Sequence, residues 1–138
     1  MQVKFTVPGS PQGKSRPRFS YQSGHAYTPD KTAAYENLVK LVYGQIHNSM
    51  VFDKGISLKM DIRAYYAIPK SASKKKLASM LSGEIRPNKK PDLDNIIKVI
   101  ADSLNEIAYY DDSQIAELMC EKYYSDIPRV EVEIKSIL

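Results

Sequence analysis

The chain has one cysteine, two histidines and no long apolar run. Cys120 on its own excludes an internal disulfide and any cysteine-built zinc site, and His25 and His47 lie too far apart in sequence to suggest a pair of ligands. A reducing, cytoplasmic setting is the expectation. No segment approaches about 18 continuous apolar residues, and the opening MQVKFTVPGS has no apolar core of a secretion signal, so no membrane role is expected. Acids are the minority charge. Lys and Arg outnumber Asp and Glu by 20 to 16 in 138 residues, an excess that points toward a polyanionic partner without bearing on the fold. A chain of this length is about one domain, and no repeat, low-complexity run or linker divides residues 1–138.

The local patterns then set the fold class. Val3, Phe5 and Val7 alternate with polar residues and stop at Pro8, which predicts a half-buried strand. The following GSPQGKSRPRFSYQSGHAYT, rich in Gly, Pro and Ser, reads as a long loop or arm over about residues 9–28. A helix is predicted next, with Thr28 as N-cap, Pro29 at its first position, and Tyr35, Leu38, Val39, Val42 and Ile46 at helical spacing. Ile56 to Tyr66 alternates as a second strand, and SASKKKLASMLSG reads as a short capped helix ended by Gly83. After a helix from about Leu93 come a strand near Ile115–Tyr124, a turn at Ser125–Pro128, and a strand through Val130, Val132 and Ile134. The sum is β-α-β-α-α-β-β, a two-layer α/β (α+β) domain with helices on a mixed sheet of about four strands.

The chemistry concentrates in KPDLDNIIKVIADSLNEIAYYDDSQI, where a basic chain gathers its acids. Leu93, Ile96, Ile97, Ile100, Leu104 and Ile107 form a helical apolar stripe, which predicts a helix of about 15 residues, roughly 22 Å long. Asp92 then takes the N-cap and Asp94 the first turn, with Lys98, Asp102 and Asn105 continuing a polar stripe. Two readings stay open at this level. Asp92 and Asp94 can be caps, Asp94–Lys98 an ordinary i, i+4 pair and Asp111–Asp112 turn chemistry. Alternatively the carboxylates hold a metal, which requires the chain to return Asp112 to the start of the helix. A restriction-type site using Pro91-Asp92 and Lys122 is disfavoured because Pro91-Asp92 opens a helix.

The same segment closely resembles the core motif of the RusA family of Holliday junction resolvases, and SRPRFS...HAYTPDKTAAYE resembles the N-terminal part of its Gram-positive and phage branch. That resemblance implies a homodimeric α/β nuclease that cuts four-way DNA junctions by paired nicks with Mg2+ or Mn2+, with no other small-molecule cofactor. By position it assigns the essential acids and metal ligands to Asp92, Asp94 and Asp112, the catalytic lysine to Lys98, and an accessory role to Asp111. The best-known member has an arginine before the first acid; here Pro91 stands there, so that basic role falls to Lys89 or Lys90. The chemistry suits the inventory, since hard cations on carboxylate oxygens activate water and neutralise charge at phosphorus.

For the partner, Lys14, Arg16 and Arg18, interleaved with Phe19, Tyr21 and Tyr27, are expected to follow branched DNA; the alternative is a solvated loop. The rival reading of the whole chain is a non-catalytic DNA-binding or recombination-accessory module, whose aspartates are caps and turns.

Overall fold

A computed structural model describes every residue except Thr28, Met50 and Val51. Its elements are β1 (Gln2–Pro8), β2 (Arg18–Ser20), β3 (His25–Tyr27), α1 (Asp30–Ile46), β4 (Leu58–Ala67), α2 (Lys74–Ser82), α3 (Leu93–Ser103), a single 3₁₀ turn (Asp112–Gln114), β5 (Ile115–Ser125) and β6 (Arg129–Ser136). The main sheet runs β1-β6-β4-β5, with β6 antiparallel to both β1 and β4, and β5 parallel to β4. This is the α+β class with a mixed four-stranded sheet that the sequence pattern predicts.

Period-2 patterning decides which face of the sheet is covered. Val3, Phe5 and Val7 of β1, the even residues Leu58 to Tyr66 of β4, and Val130, Val132 and Ile134 of β6 are all buried. Against them pack Tyr35, Val39 and Tyr43 of α1 and Ile96, Val99 and Ile100 of α3. α2 forms where expected because Ser73 accepts a hydrogen bond from the Lys76 N–H at 3.2 Å and Gly83 takes the left-handed φ of 87° that ends it.

Three details differ from the sequence expectation, and the strand order adds one on which the pattern was silent. Pro29 occupies the cap position of α1 rather than its first turn, and the expected Thr28 cap lies outside the described residues. The arm is not wholly irregular, since β2 and β3 pair as a small hairpin. The turn after Ser125 does not join neighbouring strands: β4 lies between β5 and β6. Helix α3 spans 11 residues instead of about 15. Its apolar stripe continues through Leu104, but Glu106 adopts φ 63°, and Leu104, Ala108 and Tyr109 are buried in a turn folded under the helix end. The Tyr109 hydroxyl donates to the Ala101 carbonyl at 2.7 Å and fixes that turn.

Candidate nuclease site

Helix α3 presents charged groups at both ends. At its start Asp92 has extended backbone (φ −72°, ψ 155°), and its carbonyl accepts the Ile96 N–H at 3.1 Å, but its side chain makes no cap hydrogen bond. The simple capping role is therefore not taken up, and the carboxylates of Asp92 and Asp94, like the Lys98 ammonium, are exposed. The segment leading into Asp92 is braced from the sheet. The Tyr66 hydroxyl donates to the Pro91 carbonyl, Lys122 Nζ donates to the Lys89 carbonyl at 2.7 Å, and Arg86 Nε donates to the Lys122 carbonyl. Burial, followed by the charges of Cys120 and Asp92, pushes the Tyr66 pKa up to about 12.

The root of the arm closes one side of this end. Gly13 packs so tightly that a Cβ there would stand 3.0 Å from both Asn95 Cβ and Pro91 Cβ. The Lys14 N–H donates to the Asn95 carbonyl at 3.0 Å, and the Ser15 N–H donates to Thr32 Oγ1 of α1 at 3.1 Å. Between root and helix runs a groove of about 510 Å³, lined by Lys14, Ser15, Lys31, Lys90, Asp92 and Asn95 among others. The exposed Asp92 carboxylate, the helix N-terminus and the ammoniums of Lys31 and Lys90 thus share one opening, a combination suited to a phosphodiester.

At the other end of α3 Asp112 begins the 3₁₀ turn. Its N–H donates to Asn105 Oδ1 at 2.8 Å, and its carboxyl feels the charges of Asp102 of α3, one turn before Asn105, and of Asp111. Burial, reinforced by those two acids, raises its pKa, whereas the Ser113 hydroxyl lowers that of Asp111. Gln114 anchors the turn by accepting the Tyr110 and Asp111 N–H groups and donating to the carbonyls of Asp53 and Ile56.

The expected residues therefore fall into two groups. Asp92, Asp94 and Lys98 belong to the first turns of α3, and Asp111 and Asp112 neighbour Asp102, eight residues and about 12 Å along the axis from Asp94. Among the described residues no three His, Cys, Asp or Glu side chains converge into a metal-holding group. The short turn after α3 delivers Asp112 to the helix end before β5 begins. β5 does run back along the helix, and what it returns to the start of α3 is Lys122.

On the basic side, Arg16, Arg18, Lys89 and Lys90 are exposed, while Lys14 is held by Glu36 at 3.2 Å and Asp102 at 3.1 Å. Phe19 and Tyr21 meet edge to face on the hairpin, both exposed. Sequence reasoning passed over Lys31, read Tyr66 only as a strand residue at the core edge or a dimer contact, and gave Asp102 no role of its own. The one available signal was Lys122, a cation on the otherwise apolar face of β5 that carries Leu118, Cys120 and Tyr124 opposite Met60, Ile62 and Tyr66.

Comparison with known proteins gives the family. The family model described as "Endodeoxyribonuclease RusA" matches residues 8–135. The chain is 40% identical to the "Uncharacterized protein YqaN" of Bacillus subtilis (strain 168), over 98% of this chain and 96% of that one. It is 33% identical to the "Crossover junction endodeoxyribonuclease rusA" of Lactococcus phage r1t, over 62% of this chain and 60% of that protein. No helix among the described residues is long and apolar enough to cross a membrane.

Proposed function

Since the chain belongs to the RusA endodeoxyribonuclease family, we propose that it is a structure-selective DNA endonuclease that resolves four-way junctions in recombination and repair. One observation carries the reading: the family match embraces the whole groove at the start of α3, where Asp92 is exposed and free of capping beside Lys31 and Lys90. The scissile strand enters that groove. Lys90 and Lys31 draw in its phosphates, the N–H groups of the first turn of α3 face the reacting phosphate, and Lys98 stabilises charge gathering on it. Arg16 and Arg18 on the arm, with Lys89, hold the flanking backbone.

Mg2+ or Mn2+ is the proposed cofactor, and it supplies a more acidic water and positive charge at phosphorus. All-carboxylate donors suit a hard cation, but among the described residues one chain does not bring three of them into a common cage. Asp92 and Asp94 would be its first ligands, and Asp112, at the other end of α3, would have to reach them from a second copy or through a rearrangement on DNA.

The assembly proposed is a homodimer, because two symmetric nicks need two sites related by a two-fold axis. β5 supports it as a sheet edge of 11 residues with Leu118 and Met119 exposed. The deciding experiment incubates the protein with a synthetic four-way junction and titrates Mg2+ and Mn2+. Paired, metal-dependent nicks are expected. Tight junction binding with no cleavage under any metal would leave a DNA-binding accessory module in place of an enzyme.

A further inference from the structure

Lys14 has the composition of a DNA contact and the surroundings of something else. Its backbone is fastened to α3 through the Asn95 carbonyl, and Gly13 before it has no room to shift against Pro91 and Asn95. The ammonium reaches 3.1 Å from Asp102 Oδ2 on α3 and 3.2 Å from Glu36 Oε2 on α1, and the side chain is 22% exposed. A phosphate approaching it meets two carboxylates first. The Lys14 charge is spent inside the protein.

What that charge does follows from the next neighbour. The Asp112 N–H is held by Asn105, one turn past Asp102 of α3, and the Asp102 charge acts on the Asp112 carboxyl, so a row runs from Glu36 through Lys14 and Asp102 to Asp112, with acids at three places and a cation at one. Two adjacent carboxylates repel, and a cation against one of them offsets part of that repulsion. Lys14 lies against Asp102. Without it the Asp112 carboxylate, its N–H still tethered to Asn105, is expected to turn away from Asp102.

We propose that Lys14 is a positioning residue, an internal counter-ion that seats Asp102 and thereby sets where the Asp112 carboxylate stands; this rests on the reading of Asp112 as a catalytic acid. Lys14 belongs to the root of the arm whose hairpin carries Arg18, so the segment that meets DNA also holds the acid end of the site.

The test uses four variants of the full chain, Lys14→Met, Lys14→Arg, Lys14→Met with Asp102→Asn, and Asp112→Asn, with melting temperatures alongside. Each is assayed for metal-free junction affinity across a salt series and for cleavage rate across Mg2+ concentrations. Lys14→Met should lose roughly 10- to 100-fold in cleavage, the usual cost of an outer-shell partner, with metal-free affinity and its salt slope unchanged. Lys14→Arg should restore cleavage by returning the charge. The double variant should recover most of the loss, because removing the Asp102 charge removes the repulsion; a merely structural lysine would not be rescued this way. A salt slope reduced by about one in Lys14→Met would make the lysine a phosphate contact and overturn the proposal. So would wild-type cleavage by Lys14→Met, or a double variant no better than the single. If Asp112→Asn cuts at the wild-type rate, the reading of Asp112 falls and this proposal with it; if Asp112→Asn is inactive while Lys14→Met is not, only the proposal falls.

Discussion

The N–H of Asp112 donates to Asn105 Oδ1 at 2.8 Å, so a side chain just past the end of α3 holds the backbone of the acid that follows. Replacing Asn105 by Ala leaves that half-buried N–H without its acceptor, which should cost about 1 kcal/mol of stability. Denaturant midpoints check the cost. Cleavage should fall by more than the lost stability explains, because Asp112 also loses its tether, and metal-free junction binding should not change.

Asp94→Asn separates catalysis from binding. The side chain is exposed and the amide nearly isosteric, so melting should barely move, while loss of an anionic ligand should cut cleavage by orders of magnitude. Affinity for a junction without metal should hold or rise, because one fewer carboxylate opposes the phosphate. Lys98→Ala is the contrast: it should lower cleavage and leave binding unchanged or weaker.

For the arm, Arg16→Ala with Arg18→Ala should weaken junction binding and reduce the dependence of log K on log salt by about 2, nearly one for each phosphate released. Fluorescence anisotropy across a salt series measures it. Lys14 stands outside this pair because Glu36 and Asp102 already hold it.

The outline of the fold was legible because most of it depends on local periodicity. Val3, Phe5 and Val7, the alternation of β4, and Ser73 with Gly83 each state their element within a few residues. What was hidden depends on distant partners. The end of α3 is set by Glu106 turning left-handed under a buried Tyr109, and the apolar stripe runs on through Leu104 regardless. That β5 pairs with β4 and not β6 is a matter of topology, which alternation does not encode. For the site, the exposed acids at the start of α3 were legible as a constellation. The commitment of Lys14 to two carboxylates was not, because Glu36 is 22 residues away and Asp102 lies at the far end of another helix.

Alkaline pH should loosen the segment before α3. Burial above all raises the Tyr66 hydroxyl from its ordinary pKa of 10.0 in the unfolded chain to about 12 in the folded one. With the folded value raised, the unfolded state loses its proton first. The contribution is therefore complete below pH 10 and disappears as pH climbs through about 12. Stability measured against pH should fall across that window, and Tyr66→Phe should reduce the slope.

Assembly is tested at the sheet edge. Leu118→Glu places charge on exposed apolar surface of β5, so light scattering at micromolar concentration should show a shift from dimer toward monomer. Paired nicking should become single nicking in step with it.

The tight seat of Gly13 against Pro91 and Asn95 works as an index mark. It fixes the reading frame between arm and helix at one residue, so changes of loop length are not equivalent along the arm. Residues added at the exposed hairpin tip between Tyr21 and Gly24 leave Lys14 seated, whereas one added between Gly13 and Ser15 moves either the ammonium away from Asp102 or Ser15 away from Thr32. Length changes at the exposed hairpin tip should therefore be absorbed locally, while at Gly13, Lys14 and Ser15 any change in length passes on as misalignment of the two helices they join.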